Sequence, residues 1–269
     1  MHDMSLSMQL FTRTRMNSKQ LTIITGASRG LGRAMAEQLL SLPGQRLLCI
    51  SRRGDEQLAA KARASGAVLE QWQQDLADPV PAAQRLAEWL RGLDGQAYGS
   101  ATLINNAGTV GRTRPLAQAA VDELSQALRV GLEAPLLLTS AFLGATQAWG
   151  GVRKVLNISS GLGRNAMASQ APYCAAKAGM DHFSRAVALE EEALGTGAKI
   201  VSLAPGVIDT DMQVQLRGAE ADMFPDRGRF ERMKDQGQLD SPESAAAKVL
   251  AYLARADFGS KPVADVRDT

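Results

Sequence analysis

Cysteine is nearly absent, with Cys49 and Cys174 the only two in 269 residues. Two thiols cannot build a disulfide framework and show no metal-ligand spacing, so no metal site is expected and a reducing cytoplasm is the expected compartment. Strong charge of either sign is missing too. Lys and Arg total 30 against 28 Asp and Glu, a formal +2 with no long basic run, so nucleic acid is not an expected partner. No stretch approaches the roughly 20 apolar residues of a membrane span, and no membrane association is expected. What remains is 45% hydrophobic and 22% charged, a globular composition long enough for one large α/β domain or two small ones. Residues 1–19 carry Arg13, Arg15 and Lys19 without a sustained apolar run, a poor signal peptide. They are expected to form a flexible N-terminal extension, with Met16 as an alternative start; a transit peptide stays open.

From residue 21 short apolar runs alternate with segments of helical spacing. Strands are expected over 21–24, 46–50, 68–73, 102–104, 152–158 and 199–203, with a seventh over 262–266. Helices are expected over 31–42, 57–64, 80–93, 121–146, 173–194 and 242–254. The first of them sets Leu31, Met35, Leu39 and Leu42 on one face. The strand runs are unbroken rather than alternating, as a sheet covered on both faces requires. The pattern predicts a single α/β domain over 20–269, a doubly wound, Rossmann-type parallel sheet of about seven strands with helices on both faces. Its ligand crevice would lie outside the carboxyl ends of the strands. Residues 212–240, rich in charge and glycine, are expected to be an irregular substrate lid.

The first strand ends in Thr25-Gly26-Ala27-Ser28-Arg29-Gly30-Leu31-Gly32. Gly26 permits a tight turn, Gly30 lets the backbone approach a pyrophosphate, and Gly32 lets the helix pack near the sheet. The free N–H groups of the helix start then face the phosphates. A carboxylate at the end of the second strand would favour NAD, but Ser51-Arg52-Arg53 stands there and no acid follows until Asp55. With Arg29 in the turn itself, guanidinium groups suit a 2′-phosphate, and NADP(H) is the expected cofactor. Arg53 reads equally well as a solvated surface charge.

Tyr173 and Lys177 lie four apart near the start of a helix and share one face. A free phenol has a pKa of about 10, and a nearby ammonium is expected to pull it towards a useful range. Ser160, at the end of the fifth strand, can hold a substrate oxygen against Tyr173.

These pieces resemble the short-chain dehydrogenase/reductase family. The glycine-rich turn, Asn105-Asn106-Ala107-Gly108, Ser160, Tyr173 with Lys177, and Pro205-Gly206 followed by Thr210 occur in family order from about residue 21 to the end. The resemblance implies that Asp75 and Leu76 line an adenine site and that Asn106, Ala107 and Gly108 back the adenine ribose. It implies that Lys177 binds the nicotinamide ribose, and that Pro205, Gly206, Ile208 and Thr210 hold the carboxamide and nearby phosphate. The tail, with Leu189-Glu190-Glu191 and residues 205–213, is most similar to the sepiapterin reductase and benzil reductase group. There an Asp near the C-terminus anchors the pterin, and Asp265 is the matching position; a surface carboxylate on the last strand is the alternative. Asp209 and Asp211 read as cap or turn residues as readily as site residues. The family commonly has a water-holding Asn where this chain has Gly131. His182 is expected to be a partly buried helix residue and Cys174 a packing residue.

The expected function is NADPH-dependent reduction of a small carbonyl compound, a diketone or pterin-type ketone. Ser160 and Tyr173 would hold the oxygen, and Tyr173 would donate the proton. The alternatives are an NADP(H)-binding sensor or structural protein, favoured only by Gly131, and a dehydrogenase of sugar or steroid alcohols. A homodimer is expected, with Leu136-Leu137-Leu138 and the helix after Tyr173 either its face or core.

Overall fold

The computed structural model describes residues 19–195 and 197–268. The expected N-terminal extension therefore lies outside the described residues except for Lys19, which opens the first strand. Seven strands are present: β1 (Lys19–Thr25), β2 (Gln45–Ser51), β3 (Val68–Gln73), β4 (Tyr98–Asn105), β5 (Val152–Ile158), β6 (Lys199–Ala204) and β7 (Val263–Asp265). They form one sheet in the order β3-β2-β1-β4-β5-β6-β7, with every pairing parallel. The order reverses between β1 and β4, which opens a crevice at their carboxyl ends.

Consecutive apolar residues feed two separate cores, because successive side chains of a strand point to opposite faces. Ile24, Leu47, Ile104, Leu156 and Val201 pack on one face against α1 (Gly30–Leu39), α2 (Glu56–Ser65) and α9 (Pro242–Ala254). Ile23, Leu48, Leu103, Val155 and Ile200 pack on the other against α3 (Pro79–Arg91), α5 (Ala134–Thr146) and α6 (Ala171–Ala193). The doubly wound expectation follows directly from that unbroken patterning.

Three local expectations need correction. The helix expected over 121–146 is α4 (Val121–Leu128), a π-helical turn over Arg129–Glu133, and α5. This run is in fact long and apolar enough to cross a membrane by length and composition, contrary to the expectation that no stretch approaches that length. In the fold its Ala134, Leu138 and Phe142 are buried in the second core, although Leu136 is exposed. The segment expected to be irregular contains α7 (Asp211–Arg217) and α8 (Arg227–Asp235). Leu216, Phe224 and Phe230 close a small core of their own there, with the two phenyl rings stacked at 5.6 Å. Apolar burial, not local propensity, gives this segment its shape.

Candidate active site

At the reversal point two side chains tie the ends of β1 and β4 together. The Thr25 hydroxyl accepts from the N–H groups of Asn106 and Ala107, each at 3.0 Å. The Asn106 amide donates back to the carbonyls of Thr25 (3.0 Å) and Gly26 (3.2 Å). Glycine is required at two places in this junction. Gly26 has φ +68°, and a Cβ there would lie 2.9 Å from Ala107 Cα. A Cβ at Gly32 would collide with the Asn106 amide and the Gly26 carbonyl.

One cavity of about 1050 Å³ runs along the strand ends. Gly26, Ser28, Arg29, Gly30 and Leu31 form its wall from the first turn, and Arg52, Asp75 and Leu76 close one end. Asn106, Ala107 and Gly108 lie behind, while Pro205, Gly206, Ile208 and Thr210 face the turn from β6. A Cβ at Gly30 would sit 3.3 Å from the Thr210 methyl, so the two walls are close. Ser160, Tyr173 and Lys177 occupy the same cavity. Of the expected site residues, Gly32 stands back beneath the turn and Asp265 stands back beneath the rim. Asp265 is buried, with its carboxylate accepting from Arg267 Nε (2.7 Å) and Nη2 (2.6 Å), and with Arg164 at 3.7 Å. Arg267 itself lines the cavity.

A dinucleotide fits these residues. Arg29, at the start of α1, caps no N–H with its side chain, so the first-turn donors are open to phosphate oxygens. The groove is long enough to reach from Arg52 to Tyr173. Arg29 currently reaches across it to Asp211 at 2.8 Å, an exposed pair that gives little resistance to exchange. Asp55 is committed elsewhere: it caps α2 through the N–H groups of Gln57 and Leu58 and holds Arg33 at 2.7 Å. Arg53 is exposed and outside the cavity.

The chemistry-bearing groups come from β5 and α6. Ser160 follows β5, its hydroxyl accepting from Leu162 N–H (3.2 Å) and meeting the Tyr173 phenol. Burial pushes the Tyr173 phenol up to about 12, with Ser160 pulling the other way. The expectation that Lys177 lowers it is not met in the protein alone. The Lys177 ammonium turns to the Ile158 carbonyl at 2.6 Å and lies 5.6 Å from the Tyr173 ring centre, so desolvation of the phenolate dominates. Lys177 is itself only 4% exposed, and burial pulls it down to about 8 against the opposing field of Asp181.

Several residues in and beneath the site escaped the sequence. Asp181 lies one turn after Lys177, 2% exposed, accepting from the hydroxyls of Ser159 (2.6 Å) and Ser202 (2.7 Å). Its spacing from Lys177 was the available signal. Gln170 and two residues of α8, Phe230 and Met233, border the cavity and carry no motif. Gly131 is buried in the π-turn, where a Cβ would meet the Ala176 methyl at 2.9 Å. His182 is exposed rather than partly buried, and Cys174 is half-buried.

Comparison with known proteins agrees with this geometry. The family model for short chain dehydrogenase matches residues 20–221. Benzil reductase ((S)-benzoin forming) of Bacillus cereus is 36% identical over 236 residues, covering 88% of this chain and 94% of that protein. Sepiapterin reductase of Meriones unguiculatus is 33% identical, covering 91% and 95%. A putative 2-deoxy-d-gluconate 3-dehydrogenase from Agrobacterium tumefaciens, solved with bound NADP, superposes with a TM-score of 0.74 at 25% identity, covering 93% and 95%. The chain belongs to the short-chain dehydrogenase/reductase family, nicotinamide-dependent oxidoreductases of carbonyl and alcohol groups.

Proposed function

We propose that this chain is an NADPH-dependent reductase of small carbonyl compounds, diketones or pterin-type ketones, as the names of its benzil and sepiapterin reductase relatives suggest. The observation that carries this reading is the meeting of the Ser160 hydroxyl and the Tyr173 phenol above Lys177 in one cavity. A carbonyl oxygen placed there accepts from both hydroxyls. Tyr173 stays protonated through the neutral range, because burial holds its pKa near 12, and so it is ready as a proton donor. NADPH, when bound, supplies the hydride. Ser160 keeps the oxygen in line. Lys177, cationic at neutral pH, then stabilises the phenolate that the donated proton leaves behind.

NADPH is preferred over NADH because Arg29 and Arg52 border the cavity while Asp55, the nearest acid after β2, is bound to Arg33. Residues 20–269 act as one domain with 212–240 as its lid. Gly206 borders the substrate end, and Asp265 serves it by holding Arg267 at the rim. Of the segments expected at a homodimer face, Leu138 belongs to the core, while Leu136 and, on α6, Leu189 are exposed and are the part assigned to that face; two unpaired thiols suit the cytoplasm.

The test is NADPH oxidation by purified protein with a panel of diketones. Tyr173→Phe is expected to lose roughly 10²–10⁴-fold in turnover, and wild-type-like rates in that variant refute the assignment. Arg52→Asp is expected to erode the preference for NADPH; an unchanged ratio refutes the cofactor argument.

A further inference from the structure

Gln170 occupies the position just before α6, three residues ahead of Tyr173 and about 4.5 Å from it along the helix axis. Its backbone is fixed, since its carbonyl accepts from Cys174 N–H at 2.9 Å. Ser169 before it takes a positive φ of 63°, and the Ser169 hydroxyl donates to the Met223 carbonyl at 2.6 Å, so the turn is held from the lid side as well. A serine held in that region carries backbone strain, which a neighbour with a function can justify. The Gln170 side chain is 1% exposed and lines the cavity. Its Nε2 donates to the Thr113 hydroxyl at 2.9 Å. Its Oε1 has no hydrogen-bond partner among the described residues.

A buried amide oxygen without a donor is costly, and such groups are rare unless water or a ligand satisfies them. Met167, whose carbonyl accepts from the Gln170 N–H at 3.3 Å, lines the same cavity with a side chain that cannot donate. We propose that Gln170 selects the substrate: its side-chain oxygen accepts a hydrogen bond from a hydroxyl or N–H that the substrate carries beside the carbonyl to be reduced. The inference rests on the reductase reading above and narrows it to carbonyl compounds bearing a donor. A substrate without one leaves Oε1 unsatisfied, whereas a hydroxy ketone supplies the missing bond. Turning the amide over, with the Thr113 hydroxyl donating instead, would present an N–H to the cavity and reverse the selection.

The test compares phenylpropanedione with the hydroxy ketone in which one of its carbonyls is replaced by a hydroxyl, each as kcat/KM with NADPH. In Gln170→Leu, kcat/KM for the hydroxy ketone is expected to fall about 10–100-fold, and for the diketone less than about 3-fold. Gln170→Glu keeps an acceptor that can also take the Thr113 proton, and it is expected to retain the wild-type ratio of the two substrates. Equal losses on both substrates in Gln170→Leu would assign the residue to packing and overturn the proposal. So would a loss confined to the diketone, no loss at all, or a ratio in Gln170→Glu that follows Gln170→Leu. A wild-type protein that oxidises NADPH with neither ketone overturns the reductase reading and this inference with it. Activity on both ketones without the expected change in ratio overturns this inference alone.

Discussion

Replacing Lys177 by methionine is expected to stabilise the folded protein at neutral pH while abolishing turnover. Burial lowers the Lys177 pKa from 10.5 to about 8, and at 4% exposure little solvent screening reduces the effect. Below about pH 8 both folded and unfolded chains carry the proton, and the full cost of burying the cation is present. Between pH 8 and 10.5 the unfolded chain keeps a proton that the folded one has shed, so wild-type stability rises with pH from this group. Above 10.5 both forms are neutral and the cost is gone. A shift of this size corresponds to about 3 kcal/mol. Against it, methionine leaves the Ile158 carbonyl without the Nζ donor, a loss of roughly 1–2 kcal/mol at any pH. Lys177→Met should therefore be more stable than wild type by about 1–2 kcal/mol at pH 7, a rise of a few degrees in Tm for a chain of this size. Near pH 10.5 it should be less stable by about the same amount. Urea unfolding of both proteins at the two pH values measures the difference directly. A difference that is the same at both pH values, or a variant already weaker at pH 7, would refute the reasoning.

Gly131→Asn, which would restore the family's usual residue, is expected to cost about 1–3 kcal/mol and bring no gain in turnover, because its Cβ meets Ala176 at 2.9 Å. Adding Ala176→Gly should recover most of the stability in thermal melts, and a lone Gly131→Asn with faster turnover would contradict this. Phe230→Ala opens the small lid core and should raise KM several-fold while Tm moves by only about a few degrees, since the lid opens locally. A collapse of Tm comparable to that of Phe142→Ala in the main core, about 3–5 kcal/mol, would show the lid to be part of the global unit. Gly32→Ala should abolish NADPH binding in a fluorescence titration, since its methyl group displaces Asn106 and with it the junction of β1 and β4. Unchanged affinity would rule out that role for the junction.

The sheet was legible because each central strand is apolar at adjacent positions, as in Ile23 with Ile24 and Val155 with Leu156, a pattern that only two-sided burial explains. The glycine-rich turn was legible for a related reason, since its residue types are set by backbone clashes at fixed places. The lid was not. Arg227–Asp235 holds Phe230 and Met233 among charged residues, too weak an apolar face to announce a helix, and it becomes one by closing on Phe224 and Leu216. The π-turn was hidden as well. One residue added to a helical ladder changes no periodicity that an apolar run such as Leu136 to Leu138 can display. Asp265 was visible as a residue, and Arg267 stands only two positions after it, but its other partner, Arg164, comes from the segment after β5 and no spacing joins the two.

The buried face of α6 shows why a site can be half-written in a sequence. Tyr173, Lys177, Asp181 and Ser184 follow one another at intervals of four, four and three, which puts them on one side of the helix, and all four are buried. Taken from the chain alone, a Lys followed four residues later by an Asp reads as an ordinary surface pair worth a few tenths of a kcal/mol. Only the strand ends change that reading. Ser159 and Ser202 satisfy one oxygen of Asp181, Asn157 donates to Ser184, and the Ile158 carbonyl takes the ammonium of Lys177. A polar stripe set into the sheet in this way is too expensive to arise from packing, because each member must be desolvated and then matched by a partner from another element. What the stripe obtains in return is a lysine whose position is fixed from both sides, by a carbonyl and by the field of a buried carboxylate, directly beneath the phenol. The proposed catalytic geometry is therefore a property of β5, β6 and α6 acting together, and its motif is the visible third of that arrangement.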